Sequence, residues 1–372
     1  MELTRHTVTL EVDGQGFTLW QSVSIELRLE SAARSFTVEA FQQRPGQVVA
    51  RPGSLATLRL NGAVLVTGWV DDIDVERDAG GSAVTFMGRS RTADLVDSAP
   101  APTTPRTWTH ATPLAIITEL AAPFGVTVTT DAAAASTPFR RFAREHQETA
   151  WDAVDRICSD RGLLAIDTAA GALHLTRIDA ATALRHLGVL QGGGNLLSWR
   201  VSHKGSQRFS TYTARGQTVG DVTTPAALAS SVIGTAADAG VTRPRYFAVD
   251  AHGLDTAGAV AKAQWEATTR YGRAITVSCT LPGWTDAAGT IWTPGYMAHV
   301  RIPHAGLDTE LVVVDVSLTK DAQGGTRSTL TLQPAEAFAT FTPAPVTRRG
   351  SRGYEAGLID VKRAVATAEA YK

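Results

Sequence analysis

His299 and His304 are the closest histidine pair with strand-like surroundings, and their imidazoles could begin a metal site. A spacing of five puts them on opposite faces of a strand, Pro303 interrupts that strand, and no third ligand lies nearby, so no metal is assigned. Asp71, Asp72, Asp74 and Glu76 have the oxygen chemistry of a calcium site. Asp72, Asp74 and Glu76, however, alternate with Ile73 and Val75, the pattern of one solvated strand face. Glu145, His146 and Glu148 could pass a proton, yet next to a helix start the carboxylates serve the positive helix end. No serine sits in a nucleophile elbow, and Cys158 and Cys279 fall at core positions of a helix and a strand. Gly192, Gly193 and Gly194 lack the lysine and the strand–loop–helix setting of a phosphate loop and are read as a joint. Arg140, Arg141 and Arg144, and Arg348, Arg349 and Arg352, could touch nucleic acid, but ordinary solvated or interface charge is the favoured reading. No catalytic residue, cofactor site or metal site is expected, and no small-molecule substrate. The chain offers surfaces in place of a cleft.

Thr149 to Ile178 shows most plainly which elements position these residues. Thr149 and Asp152 have capping-box spacing, so a helix is expected over 150–161. Trp151, Val154, Ile157 and Cys158 recur at three- and four-residue steps on its apolar side, and Gly162 after Arg161 ends it. A hairpin over 163–178 turns at Thr168 to Gly171. Upstream, Thr112 and Pro113 predict a helix over 113–122.

The flanking regions alternate with period two. Val8, Leu10 and Val12, then Val23 to Leu29, Phe36 to Ala40, and Leu58 to Val66 around Asn61-Gly62 give short strands through about residue 98. Ile275 to Leu281, Val300, Ile302, Val312 to Leu318, Leu330 and Leu332 repeat that texture. The expected fold is mainly β with an α+β module: a first β-barrel over 1–98, the module over 99–180, and a second β-barrel built from 181–217 and 273–340. Residues 218–272 are read as an inserted loop followed by a helix capped by Asp255, with Ala257, Ala261, Gln264, Trp265 and Thr268 sharing a side. Residues 341–372 form a tail in which Leu358, Val361 and Val365 could dock on a partner.

With 372 residues and 44% hydrophobic content, the chain suffices for two to four domains. A formal charge of −1 creates no global field toward nucleic acid or an anionic membrane. Two cysteines fall short of a disulfide framework, whether or not they pair. Neither a signal-type apolar core at the start nor a run of about 18 apolar residues occurs, so folding in the cytoplasm without stable membrane insertion is expected.

The order of four stretches resembles the Mu-like baseplate hub proteins of contractile-tailed phages and, more distantly, the late-control D proteins and the hub part of VgrG spikes. They are Gly68 to Ile73 with Gly88 to Asp97; Pro113 to Gly125; Gln147 to Leu163 with its hairpin; and Gly283-Trp284, Ile291-Trp292 and Gly325 to Phe338. The resemblance implies a structural virion protein, not an enzyme: a homotrimeric ring between the tail tube protein and the central spike protein, assembled in the host cytoplasm, through which DNA passes unread. Two other readings are a tail-associated cell-wall hydrolase, which needs paired carboxylates or a metal set, and a receptor- or glycan-binding tail module using some of the eight tryptophans. Trp151 and Trp265 sit at core-like positions, which weakens the last of these.

Overall fold

The computed structural model describes residues 7–18, 20–41, 50–78, 81–178, 186–217, 231–251 and 254–341. Leu358, Val361 and Val365, with Arg348, Arg349 and Arg352, lie outside them. The described chain is mainly β, arranged in several sheets with a small helical module.

The first strands are β1 (Val8–Val12), β2 (Gln15–Phe17), β3 (Trp20–Arg28), β4 (Ser35–Phe41), β5 (Leu55–Leu60), β6 (Ala63–Asp78) and β7 (Gly81–Ser90). Alternation decides their faces: Val23, Ile25 and Leu27 of β3 are buried while their neighbours are not. Asn61 and Gly62 turn β5 into β6 with φ of 49° and 88°, which asparagine and glycine tolerate. A bulge between Val70 and Asp72 re-aims β6.

The module follows with α1 (Ala93–Asp97), β8 (Thr107–Ala111), α2 (Pro113–Ala121), β9 (Val128–Thr130), β10 (Phe139–Ala143), α3 (Ala150–Arg161), β11 (Leu164–Asp167) and β12 (Leu173–Thr176). Thr149 accepts from the Asp152 amide at 3.1 Å and Asp152 accepts from the Thr149 amide at 2.8 Å, the reciprocal pair that the spacing predicts. Gly162 closes α3 at φ 60°. Val154, Ile157 and Cys158 are buried with Ile116, Ile117 and Leu120 of α2 and Leu173 and Leu175 of β12. β12 pairs antiparallel with β11 and parallel with β9, so the hairpin is part of a three-stranded mixed sheet.

Next come β13 (His186–Gln191), β14 (Ser198–His203), β15 (Thr211–Gln217), β16 (Ser231–Ala237), β17 (Tyr246–Asp250), α4 (Thr256–Arg273), β18 (Ile275–Pro282), β19 (Met297–Ile302), β20 (Leu307–Asp321) and β21 (Gly325–Gln333). The structure revises three expectations here. First, the two β regions do not form separate barrels. β20 is 15 residues long; its first part pairs with β19 and its second with β3, so one sheet crosses from one region to the other. The order β14-β18-β21-β20-β3-β4-β7-β6-β5-β1-β2 is continuous, and Val23, Phe36 and Phe86 share a core with Val277, Val316 and Leu330.

Second, Thr211–Gln217 does not join that sheet, and residues 231–237 and 246–250 are strands instead of loop: β15 pairs with β16 and β17 in a sheet of its own. The chain divides into two compact units, and the second holds Thr211–Ala237 and Tyr246–Gln264. Third, α4 buries Ala259, Ala263 and Thr269, while Ala257, Ala261, Gln264 and Thr268 are exposed. Small residues decide the buried side, because a Cβ on Gly234 of β16 would come within 2.1 Å of the Ala259 backbone. In the other unit, Trp265 is half-buried and donates its indole N–H to the Ala339 carbonyl at 2.6 Å.

Candidate functional site

The fold separates the residues singled out for chemistry and engages several of them in local pairs. Glu148 takes the Arg156 guanidinium at 2.9 Å, and that cation lies 4.4 Å from the Phe142 ring centroid. His146 contacts Arg106 at 3.0 Å, and Arg144 donates to the Pro105 and Thr104 carbonyls. Arg140 and Arg141 are exposed on β10. Cys158 and Cys279 are free and buried, and burial pushes each thiol up to about 12, away from nucleophilic use. Gly192 to Gly194 turn β13 toward β14, and Gly192 lies against the Trp199 indole. No three His, Cys, Asp or Glu side chains among the described residues are placed to hold one ion.

His304 occupies the single turn Pro303–Ala305, away from the β19 ladder. His299, on β19, faces Glu310 at 2.9 Å through Nδ1 and Asp308 at 2.7 Å through Nε2. Two carboxylate acceptors favour the imidazolium, so its pKa is raised, through the bond to Glu310 first and to Asp308 second. A raised pKa means stabilisation that is complete at low pH and lost as pH rises through the folded-state value. The His299 ring resonance is therefore expected to titrate above the ordinary histidine value, and Glu310→Gln to lower its midpoint; an unmoved midpoint would refute the pairing.

A second constellation escaped sequence reasoning because its members lie far apart in the chain. Asp167, at the end of β11, accepts from the Arg34 amide at 2.8 Å and from the Ser90 hydroxyl at 2.5 Å, while Arg34 Nε lies 3.4 Å from its other oxygen. Arg34 also donates to the Asp167 and Leu65 carbonyls, both at 2.9 Å, and Ser90 contacts Thr92 at 2.9 Å. Burial is the leading influence on both ions: it raises the Asp167 pKa and lowers that of Arg34, each partly offset by the other's charge. This clamp ties the module's hairpin to β6, to the segment before β4 and to the end of β7, and it borders a cavity of about 470 Å³ lined also by His174, Asp131 and Tyr296.

The open face of the long sheet is an organised surface. Following the pairing register, Ser198, Thr280, Thr329, Ser317, Glu26, Ser35 and Arg89 form one row from β14 to β7. Thr319, Ser24, Thr37, Met87 and Asp72 form the next, and Ser22, Glu39, Thr85 and Asp74 a third. These side chains are half-buried or exposed, whereas those of the opposite face fill the core. Asp72, Asp74 and Glu76 are exposed on this face, as their alternation predicts, and Asp71 at the bulge instead pairs with Arg89 at 2.7 Å. Arg89 also holds Asp97 at 2.6 Å, so this cation is already neutralised, while the exposed Arg28, Arg200 and Arg327 lie on the same face. Hydroxyls and carboxylates dominate, which suits contact with water more than tight protein packing.

Comparison with known proteins agrees with this architecture. The chain is 34% identical to the baseplate hub protein gp44 of Escherichia phage Mu over 359 residues, covering 94% of this chain and 92% of that protein. The chain belongs to the Mu gp44 family of baseplate hub proteins. Three family models match along the hub chain: the Mu phage baseplate assembly protein GpP-like N-terminal domain at 7–90, the gp44-like baseplate hub second domain at 92–177, and the GpP fourth domain at 255–340. The 43 kDa tail protein of prophage MuSo2 from Shewanella oneidensis has the same fold, with TM-score 0.76 and 22% identity over 91% of this chain and 100% of its own. A tail protein from Neisseria meningitidis MC58 follows at TM-score 0.74 and 20% identity over 90% and 99%. The hub chain is a structural component of a phage baseplate.

Proposed function

We infer that three copies join head to tail into a ring between the tail tube protein and the central spike protein of the virion, assembled in the host cytoplasm, and that DNA leaves through its opening. The observation that supports this reading is the unbroken sheet running from β14 to β6, with one face in the core and the other hydroxylated and carboxylated. A heterologous contact closes into a ring when its rotation is a third of a turn. Turned inward, the open face would meet a passing polyanion chiefly with hydroxyls and carboxylates interspersed with single arginines, so the duplex would be neither held tightly nor read; retention and base recognition need clustered Lys and Arg donors reaching phosphates and grooves. The role is mechanical, not enzymatic, and Glu148, His299 and Asp71 are engaged in the local pairs described above.

Electron-microscopic class averages of the purified full chain are expected to show threefold rings with an opening wider than a DNA duplex. Compact single-chain particles, or rings without an opening, would contradict the proposal.

A further inference from the structure

Beside the buried clamp lies the cavity of about 470 Å³, bounded by the module's hairpin, the end of β3, the start of β6 and the segment before β19. Neither the ring nor the passage of DNA makes use of it. Its volume falls in the range of small-ligand sites and far exceeds the space of one water. Leu65, Ile166, Ile178, Ile291 and Pro294 make the walls mainly apolar. The lining carries two arginines, Arg28 and Arg34, against two aspartates, Asp131 and Asp167, so these charges balance.

One polar atom of this lining is left without a donor. Asp167 accepts from the Arg34 amide and the Ser90 hydroxyl through Oδ2, whereas its Oδ1 accepts no hydrogen bond among the described residues. Arg34 Nε faces that oxygen at 3.4 Å as an ion pair without donating to it. A buried acceptor without a donor is a standing cost, which an incoming donor removes.

We propose that the cavity receives a tyrosine side chain of another baseplate protein, its ring against the apolar walls and its hydroxyl donated to Asp167; the idea rests on baseplate membership and not on the ring. Four properties select that group. Balanced charge in the lining leaves the desolvation of a free ammonium or carboxylate unrepaid. Apolar walls favour an aromatic body, which buries a large area with few rotatable bonds. The open Oδ1 requires a donor at the tip, which phenylalanine lacks. Arg28, exposed in the same lining, can donate in turn to a hydroxyl, which the N–H of an indole cannot accept. A structural baseplate component is packed among other proteins, so a neighbour's side chain is the source.

The probe is N-acetyltyrosinamide, titrated calorimetrically into the purified full chain. Saturable binding with a dissociation constant of about 1 mM or tighter is expected. N-acetylphenylalaninamide, which lacks only the hydroxyl, should bind about tenfold more weakly. Ala169→Trp and Val64→Trp add bulk at two lining positions and should each abolish binding while the melting temperature stays near that of the wild type. No binding, equal affinity for the two probes, or binding that survives in both folded variants would overturn the site. Native mass spectrometry of the freshly purified chain is expected to show the chain alone; a small molecule retained in stoichiometric amount would overturn the assignment to a partner's side chain. A monomeric wild type would remove the ring and leave each of these expectations unchanged.

Discussion

Replacing Arg34 with methionine is expected to lower the unfolding free energy by about 3–5 kcal/mol, the effect of leaving a buried carboxylate without its counter-ion. Urea denaturation at one fixed protein concentration measures it, because assembly makes stability concentration-dependent. Asp167 is 4% exposed, and without the guanidinium the Ser90 and Thr92 hydroxyls and the backbone amide of residue 34 are left to offset its desolvation. The pH dependence follows from the sign of the shift. The Asp167 pKa is already raised by burial, and removal of Arg34 takes away the main influence that lowers it. A folded-state pKa above the unfolded one means stability that is present at low pH and lost as pH rises through it. The variant's deficit should accordingly be largest near neutrality and shrink toward pH ~4, where an unperturbed carboxyl begins to protonate. Asp167→Leu added to Arg34→Met should recover part of the loss. A deficit below about 1 kcal/mol, or one independent of pH, would show that the clamp contributes little.

Trp284→Ala should cost a comparable amount, about 3–5 kcal/mol, through lost apolar contact and the cavity left behind. The side chain is fully buried in the core shared by both β regions, and its indole N–H reaches the carbonyls of Thr319 on β20 and Arg327 on β21, each at 3.0 Å. It thus seals the end of the β20–β21 ladder. Trp292 provides the contrast: it is 2% exposed, and its indole nitrogen has no hydrogen-bond partner among the described residues. Trp284→Phe is therefore expected to destabilise more than Trp292→Phe, because only the first strips a donor from two carbonyls of the β20–β21 ladder. Equal losses would mean that ring volume, and not the polar anchor, decides the effect.

These two sites also mark how far the sequence could be read. Elements whose signals are local were legible: the Thr149–Asp152 cap, the Gly162 stop, the turn ending at Gly171, and the alternation that sets the buried face of β3. Gly283-Trp284 was visible as a motif, and the structure adds the carbonyls it serves. Arg34 and Asp167 lie 133 residues apart, so no spacing rule could join them. The β3–β20 pairing had the same obstacle, although the unusual length of β20 was a usable hint, since its partners β19 and β3 occupy different stretches of it. β16 was lost because its buried positions include Gly234, which adds nothing to an apolar count. The buried side of α4 was misjudged for the same reason: alanines give no contrast when a helix packs through its smallest residues. Of the proposed site, the acidic strand face was readable in Asp72, Asp74 and Glu76, whereas the hydroxyl rows became visible only when the register aligned serines and threonines from distant strands.

The central claim is that this baseplate hub works as a closed ring of three. Light scattering coupled to size exclusion, run on the full chain over a wide concentration range, tests it most directly. The expected result is a mass three times the 39.3 kDa chain that persists on dilution. A mass of one chain throughout the range would contradict it.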